Sequence, residues 1–330
     1  MTYRTVGRYA ARAGRVTARL TGRVVAHGLR KVGDGAVPDV PVPPPGRAVD
    51  LPGRGRTHVL DLPGPTPGAP TVLLMHGIAT TGGLTWFTVL EDLRRHYRVV
   101  TFDQRWHGRG ISSDAFTLDD CADDAVGVLD ALEIDAAIVV GYSMGGASAQ
   151  VLWHRHPERV AGLVLCSTAA RWKGHLGERV FFLMLRAVNA GLLSVAAEKV
   201  RAHSEAALPQ SDEADLAGLL AWCLAELRAT SLWSLPVVMA ELGSFDSTSW
   251  IKDVDVPTGV LVTARDRAIP TARQRRLADR IPHAIVRESP GGHASLVFDL
   301  DHWKPVFLAL VDDVVEAATR QAPFVQSAEG

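Results

Sequence analysis

The apolar run at residues 136–140 leads directly into Gly141-Tyr142-Ser143-Met144-Gly145-Gly146, and this junction fixes a local geometry that few folds can accommodate. A short apolar, β-branched run reads as a buried strand, and Gly-x-Ser-x-Gly at its end demands a tight turn straight into a helix. The glycines are needed because the departing helix passes so close to the strand that a Cβ would crowd the turn. A serine at the centre of such an elbow projects its hydroxyl at the edge of the sheet, where a nucleophile belongs. It still needs a base, an acid to orient that base, and donors for a developing oxyanion.

The surrounding pattern supplies the sheet. Apolar runs at 71–75, 98–102, 136–140, 160–166, 259–263 and 284–287 read as strands, with helical patterns near 86–95, 118–132 and 145–155 between the early ones. That alternation predicts an α/β fold with a doubly wound, mostly parallel sheet covered on both faces. Ligands then bind beyond the carboxyl ends of the strands. Residues 47–51 and 56–62 around Pro52-Gly53-Arg54-Gly55 read as a hairpin. After Ser167 the alternation stops, and a helical pattern rich in Leu, Ala and Trp runs to about Asp255. It predicts an inserted helical lid. The most apolar part, 180–200, holds Arg186 and Asn189 in its middle and Gly191 besides, which favours buried lid helices over a membrane span. The expected organisation is a basic extension and Pro-rich linker over 1–46, a first core segment over 47–170, the lid over 171–255, a second core segment over 256–318 and a flexible tail over 319–330.

Hydrophobic residues make up 47% of the chain and charged ones 22%, enough for a large buried core. Cys121, Cys166 and Cys223 are too few and scattered for a disulfide framework or a zinc site, so a reducing, cytoplasmic location is expected. A net charge of -1 gives no reason to expect nucleic acid as partner. The charge is unevenly spread, however. Residues 1–33 carry eight Lys/Arg and no acid, against 27 Lys/Arg and 36 Asp/Glu in the remainder. Arg4, Arg8, Arg12, Arg15, Arg19 and Arg23 fall on one arc of a helix, with a thin apolar face of Val6, Ala10, Ala13, Val16, Leu20 and Val24 opposite. Several readings stay open for residues 4–30: an interfacial helix in peripheral contact with anionic lipid or docked on a partner, an organelle transit peptide, which an Arg-rich, acid-free amphipathic start resembles, and a solvated basic extension, which Gly7, Gly14 and Gly22 favour.

A serine hydroxyl is inert near neutral pH unless an imidazole takes its proton. Of twelve histidines, His293 has the right address, after the last predicted strand in Ser289-Pro290-Gly291-Gly292-His293. His283 precedes that strand, His175 and His203 belong to the lid, and His302 lies further along a helix. Asp266 follows the strand at 259–263 and is the expected orienting acid, whereas Asp253 and Asp255 precede it at the wrong end. The turn His76-Gly77-Ile78 after the strand at 71–75 can aim the N–H of Ile78 at an oxyanion, with Met144 N–H as the second donor. The His76 side chain itself reads as structural. No metal or organic cofactor is required by this chemistry.

These motifs stand in one order: the His76-Gly77 loop, Asp103-Gln104-Arg105-Trp106-His107-Gly108-Arg109-Gly110-Ile111-Ser112, the Ser143 elbow, then the Asp266 and His293 loops. From Gly46 to about Ala318 the chain resembles the α/β-hydrolase fold superfamily. Its second motif departs from the family's Asp-x-Arg-Gly-x-Gly-x-Ser turn in having Trp106 at the usual Gly, a change to the turn or the pocket wall. Asp103 and Arg105 are expected to pair with each other, while Trp106 and His107 could face the pocket. The resemblance implies a lidded, cofactor-free enzyme in which Ser143, His293 and Asp266 act on a small apolar ester or acyl substrate, as in carboxylesterases and lipases. Perhydrolysis or carbon–carbon bond hydrolysis would use the same three residues, and a membrane-associated ligand binder would need none of them. Trp172, Phe181, Phe182, Met184, Trp222, Leu232 and Trp233 are the expected lining of an apolar acyl pocket.

Overall fold

The computed structural model describes residues 40–174, 176–207 and 218–321. The basic stripe expected over 4–30 and the chain beyond 321 lie outside the described residues.

Strands β1 (Arg47–Leu51) and β2 (Gly55–Leu62) form the expected hairpin. β3 (Thr71–Met75), β4 (Arg98–Phe102), β5 (Ala137–Tyr142), β6 (Val160–Cys166), β7 (Thr258–Thr263) and β8 (Ile285–Ser289) complete one sheet in the order β1-β2-β4-β3-β5-β6-β7-β8. β2 is antiparallel to both neighbours, and every pairing from β4 to β8 is parallel. Because β4 lies on one side of β3 and β5 on the other, the loops after β3 and β5 diverge and open a crevice at the carboxyl end.

The first helical stretch differs from expectation. Instead of one helix over 86–95, the chain forms α1 (Gly82–Trp86) and α2 (Leu90–Arg94). Phe87, Thr88 and Val89 separate them. Thr88 and Val89 are β-branched and poor helix formers, and the Thr88 hydroxyl donates to Leu296 O at 2.9 Å, which ties the break to a residue far along the chain. α3 (Leu118–Ala131) starts as its sequence dictates, with Thr117 Oγ1 accepting from Asp120 N at 3.0 Å and Asp119 and Asp120 in the positive first turn. α4 (Met144–Arg155) follows the elbow.

Between β6 and β7 lie α5 (Leu176–Ala190), α6 (Leu193–Ala207), α7 (Leu219–Ala229) and α8 (Ser234–Ser244). This excursion is pinned at its base, where Arg171 bridges Asp246 antiparallel and its Nε donates to the Asp246 carboxylate at 2.7 Å. After β7 come α9 (Thr271–Ala278), α10 (Ser295–Phe298) and α11 (Leu300–Gln321), the last running past the expected boundary at 318.

Residue alternation in the strands divides the core into two layers. Leu73 and Met75 join the side of α3, α4 and α9, while Val72 and Leu74 join the side of α1, α2 and α11, where Trp303 and Phe307 stack at 4.6 Å. Both faces are thus covered, which explains why β3 is buried at every position. Among the described residues, no single helix is long and apolar enough to cross a membrane.

Candidate active site

β5 delivers Ser143 to the carboxyl end of the sheet at φ 54°, ψ -115°, a conformation that costs an L-residue about 1–3 kcal/mol. Three bonds over-determine it: Ser143 N donates to Cys166 O at 2.9 Å, while Ser143 O accepts from Gly146 N at 3.0 Å and from Thr168 Oγ1 at 2.8 Å. The two glycines of the elbow have steric necessity. A Cβ at Gly141 would sit 2.3 Å from Gly145 O, and one at Gly145 would sit 2.1 Å from Met75 O, where α4 crosses the end of β3. Met144 opens α4, so its N–H is one of the four that lack an acceptor within the helix.

The loop after β3 is held against this elbow. A Cβ on Gly77 would lie 3.6 Å from Ser143 Cβ, which places the half-buried Ile78 one residue from that contact. His76 fixes the loop. Its Nε2 accepts from Gln104 N at 2.8 Å, so Nδ1 carries the proton and donates to Gly77 O at 2.7 Å, while Gln104 Nε2 donates back to His76 O. Burial holds its pKa below the usual imidazole range, and the ring is a neutral structural strut, as expected.

His293 joins the other two expected residues. Its Nε2 lies 2.9 Å from Ser143 Oγ and its Nδ1 lies 2.7 Å from Asp266 Oδ2. With Nδ1–H donated to the carboxylate, Nε2 is free to accept from the serine hydroxyl. The loops that carry Asp266 and His293 are stitched together by Ala264 N to Ser289 O and Arg265 N to Gly291 O, both 2.9 Å. The Tyr142 ring rests against the imidazole at 5.3 Å between centroids.

Asp266 is held by more than the histidine. Its Oδ1 accepts from Ala268 N at 2.8 Å and Ile269 N at 2.9 Å, and its Oδ2 from Thr263 Oγ1 at 2.9 Å and Gln274 Nε2 at 3.0 Å. Burial pushes its pKa up, but the bonds from His293, the Ile269 N–H and the Thr263 hydroxyl outweigh that and keep it below the usual carboxylate range. Gln274 was not anticipated from sequence. Its signal was available, because Gln274, Leu277 and Ala278 share the buried stripe of an otherwise arginine-rich α9, and a polar residue on an apolar stripe needs partners.

The Asp103 loop corrects several expectations. Asp103 and Arg105 do not pair with each other. Arg105 Nε and Nη2 grip the Asp124 carboxylate at 2.7 and 2.8 Å, on α3, whereas Asp103 accepts from Gly82 N and Arg109 N, both 2.9 Å. Trp106 adopts φ 64°, the left-handed region that explains glycine in the resembling pattern. It is retained there by its indole N–H, which donates to Ser113 O at 3.0 Å, and by packing in the core beside Phe116. His107 is equally buried and hydrogen-bonded to Arg105 O, with its pKa pulled down to about 3 by burial and by His76. Both side chains are committed to shaping the loop. Nor do the seven expected lining residues form one wall: Phe182 fills the space over Gly243 within the insertion, Trp222 packs on Phe87 and Gly83, and Leu232 and Trp233 are exposed.

One buried acid escaped the sequence reading. Glu226 of α7 accepts from Arg109 Nη2 at 2.6 Å and from the Thr81 hydroxyl, and nearby Thr230 Oγ1 accepts from Gly108 N at 3.0 Å. Burial and neighbouring Asp103 raise its pKa against the attraction of Arg109. The insertion is therefore bonded directly to the loops after β3 and β4. Among the described residues, no three His, Cys, Asp or Glu side chains gather as a metal-ligand set.

Comparison with known proteins places the fold. A family model described as the alpha/beta hydrolase fold matches residues 70–300. A protein of Caulobacter vibrioides named as a carbamate hydrolase, RutD, is 28% identical over 258 residues, 76% of this chain and 93% of its own. A hydrolase from Pseudomonas aeruginosa PA01 superposes with a TM-score of 0.63 at 23% identity, over 82% of this chain and 98% of its own. The enol-lactonase from Burkholderia xenovorans LB400 does so with a TM-score of 0.59 at 20% identity, over 81% and 100%. The match to the family model spans well over half of the sequence, and the chain belongs to the α/β hydrolase fold family.

Proposed function

We propose that the protein is a serine hydrolase that cleaves a carboxylic ester of an apolar acyl substrate through an acyl-enzyme intermediate. The observation that carries this reading is the unbroken hydrogen-bond chain from Asp266 through His293 to Ser143. Ser143 Oγ attacks the acyl carbon as its proton passes to His293 Nε2. The resulting imidazolium is stabilised by Asp266, which stays ionised. Collapse of the tetrahedral intermediate breaks the C–O bond, and His293 returns the proton to the departing alcohol. Water then adds to the acyl-enzyme with His293 as base, releasing the acid and regenerating the serine.

The N–H groups of Ile78 and Met144 stabilise both tetrahedral oxyanions, each contributing on the order of 10² to 10³ in turnover. The helical insertion serves as the lid. What supports that role is its attachment through Glu226 and Thr230 to the very loops that flank Ser143. The hydrolase family and the names of relatives support hydrolysis as the reaction class.

The test is fluorophosphonate labelling of wild type and Ser143→Ala, followed by turnover on esters of increasing acyl length and on a carbonyl-activated carbon–carbon substrate. Only Ser143 should label, and Ser143→Ala should lose labelling and on the order of 10⁴-fold or more of ester turnover while its circular dichroism is unchanged. Labelling at another serine would overturn the assignment of the nucleophile. Hydrolysis of the carbon–carbon substrate alone would overturn the ester assignment.

A further inference from the structure

The elbow sets an aromatic side chain beside the nucleophile. Tyr142 ends β5, and its ring joins the layer of the core that α1, α2 and α11 cover. The ring is clamped there. Trp86 meets it edge-on at 6.2 Å between centroids and itself stacks on Phe307 at 5.6 Å, while a Cβ on Gly77 would come within 3.2 Å of the Tyr142 Cδ1. The hydroxyl is hydrogen-bonded with the Ser167 side chain, and Ser167 Oγ lies 3.2 Å from Thr263 Oγ1, which donates to Asp266 Oδ2 at 2.9 Å. Burial and neighbouring Asp266 hold the phenol above its ordinary pKa range, so it stays neutral. Only 6% exposed, Tyr142 presents its ring to the His293 imidazole at 5.3 Å between centroids and a tilt of 39°.

His293 needs such a support. The two residues before it are Gly291 and Gly292, which bring no side chain to steady it, and the imidazole is 27% exposed. Its bond to Ser143 Oγ must be given up as the reaction proceeds. In the tetrahedral intermediate Nε2–H turns from Ser143 Oγ to the oxygen of the departing alcohol, and in the second step Nε2 turns to water. Two neighbours stay fixed through both turns, the Asp266 carboxylate at Nδ1 and the Tyr142 ring. A single hydrogen bond at Nδ1 is a pivot about which the imidazole can swing. The tyrosine limits that swing. It also faces the imidazolium that forms when Nε2 takes the proton, at a distance where an aromatic ring attracts a cation.

We propose, on the serine mechanism above, that Tyr142 is a positioning residue for the general-acid step, its ring confining the His293 imidazole so that Nε2–H meets the leaving oxygen. At collapse the carbonyl re-forms, the C–O bond breaks with its electron pair on the leaving oxygen, and the proton on Nε2 passes to that oxygen. How much this aim matters depends on the leaving group. An ethoxide departs only with the proton, whereas a p-nitrophenolate departs as the anion and needs none. A misaligned imidazole therefore slows the ethyl ester more than the p-nitrophenyl ester of the same acid.

The experiment measures kcat/KM, which reports acylation, on the ethyl and p-nitrophenyl esters of the acid that the acyl-length series ranks first. Wild type, Tyr142→Leu, Tyr142→Met and Tyr142→Phe are compared, with active sites counted by fluorophosphonate labelling. Tyr142→Leu and Tyr142→Met should lose roughly a hundred-fold on the ethyl ester and less than about ten-fold on the p-nitrophenyl ester. Tyr142→Phe keeps the ring and should return to the wild-type ratio between the two. That ratio does not depend on how much of a preparation is folded, so a destabilised variant still reports. Equal losses on the two esters, or a wild-type ratio in both Tyr142→Leu and Tyr142→Met, would overturn the proposal. So would a Tyr142→Phe whose ratio is as altered as that of Tyr142→Leu, because the ring would then not be what confines His293. Absence of labelling at Ser143 in the wild type would overturn the serine mechanism, and the role of Tyr142 with it.

Discussion

Asp266 and Glu226 are both buried carboxylates in loops and helices that flank Ser143, yet their pKa values end on opposite sides of the ordinary range. Burial raises the proton affinity of each. Around Asp266 the protein supplies five donors, two of them backbone N–H groups, and no competing anion is hydrogen-bonded to any of them. Its pKa ends below the usual range. Glu226 has the Thr81 hydroxyl and one guanidinium, and that guanidinium, Arg109, also lies 3.6 Å from Asp103. At Asp103 burial is outweighed by Arg109, His58 and His76, and the pKa falls below its ordinary range, whereas the shared guanidinium does not offset the burial of Glu226. The contrast separates a carboxylate built to stay charged from one that fastens the insertion to the core and holds a proton more readily.

The sharpest way to break the comparison is Asp266→Asn. Asparagine is nearly isosteric, but it cannot stabilise the imidazolium, and it favours the wrong tautomer of His293. Ester turnover should fall on the order of 10³ to 10⁴-fold. Because the folded-state pKa of Asp266 is depressed, its ionised form stabilises the fold above the unfolded value of about 3.9, and this contribution is lost as pH falls through the lower folded value. Thermal melts should therefore show any advantage of wild type over Asp266→Asn shrinking in acid. A turnover loss below ten-fold would mean that the carboxylate is structural only.

A smaller effect is expected one shell out. Gln274 donates to Asp266 Oδ2, Thr263 Oγ1 and Ile269 O, and accepts from Thr263 N at 2.9 Å. Gln274→Leu leaves the buried Thr263 N–H without a partner, at a stability cost of about 1–3 kcal/mol. It also loosens the carboxylate that aims His293, so kcat should drop roughly ten- to a hundred-fold with KM unchanged. Steady-state kinetics alongside denaturant unfolding would check both. An unchanged kcat in a destabilised variant would show that the remaining donors hold Asp266 on their own.

The same contrast marks what the sequence discloses and what it withholds. Strand runs, the elbow glycines and the positions of His293 and Asp266 were readable because each depends on chain order: a residue just after a parallel strand emerges at the carboxyl end, wherever the strand sits in the sheet. Glu226 is 145 positions from Thr81 and 117 from Arg109, and no periodicity reports a contact of that kind. The partners of Asp103 and Arg105 were misassigned for a related reason. Neighbours in a loop after a strand can point to opposite sides, and here Arg105 reaches α3 while Asp103 turns to α1 and Arg109. Trp106 was recognised as a departure from glycine, but its retention at φ 64° depends on the Ser113 carbonyl and the Phe116 ring, which only the folded loop brings to it. The split of α1 from α2 likewise rests on a bond from Thr88 to a residue 208 positions away.

The mildest change, Glu226→Gln, sharpens the comparison most. Glutamine keeps an acceptor for the Thr81 hydroxyl, and Arg109 retains Asp103, so ester turnover should change by no more than a few-fold if Glu226 only fastens the insertion. The information is in the pH dependence of stability. With its folded pKa raised above the unfolded value of about 4.3, Glu226 binds more protons in the fold, and its contribution to stability declines as pH rises through that window. Below the window the protonated acid and the amide are equivalent in charge, so wild type and variant should melt alike. Above it, the wild type should lose stability relative to the variant, the reverse of the trend expected at Asp266. A wild type that instead gains on Glu226→Gln with rising pH would show that Arg109 favours the ionised acid outright, and the two carboxylates would then be alike in kind.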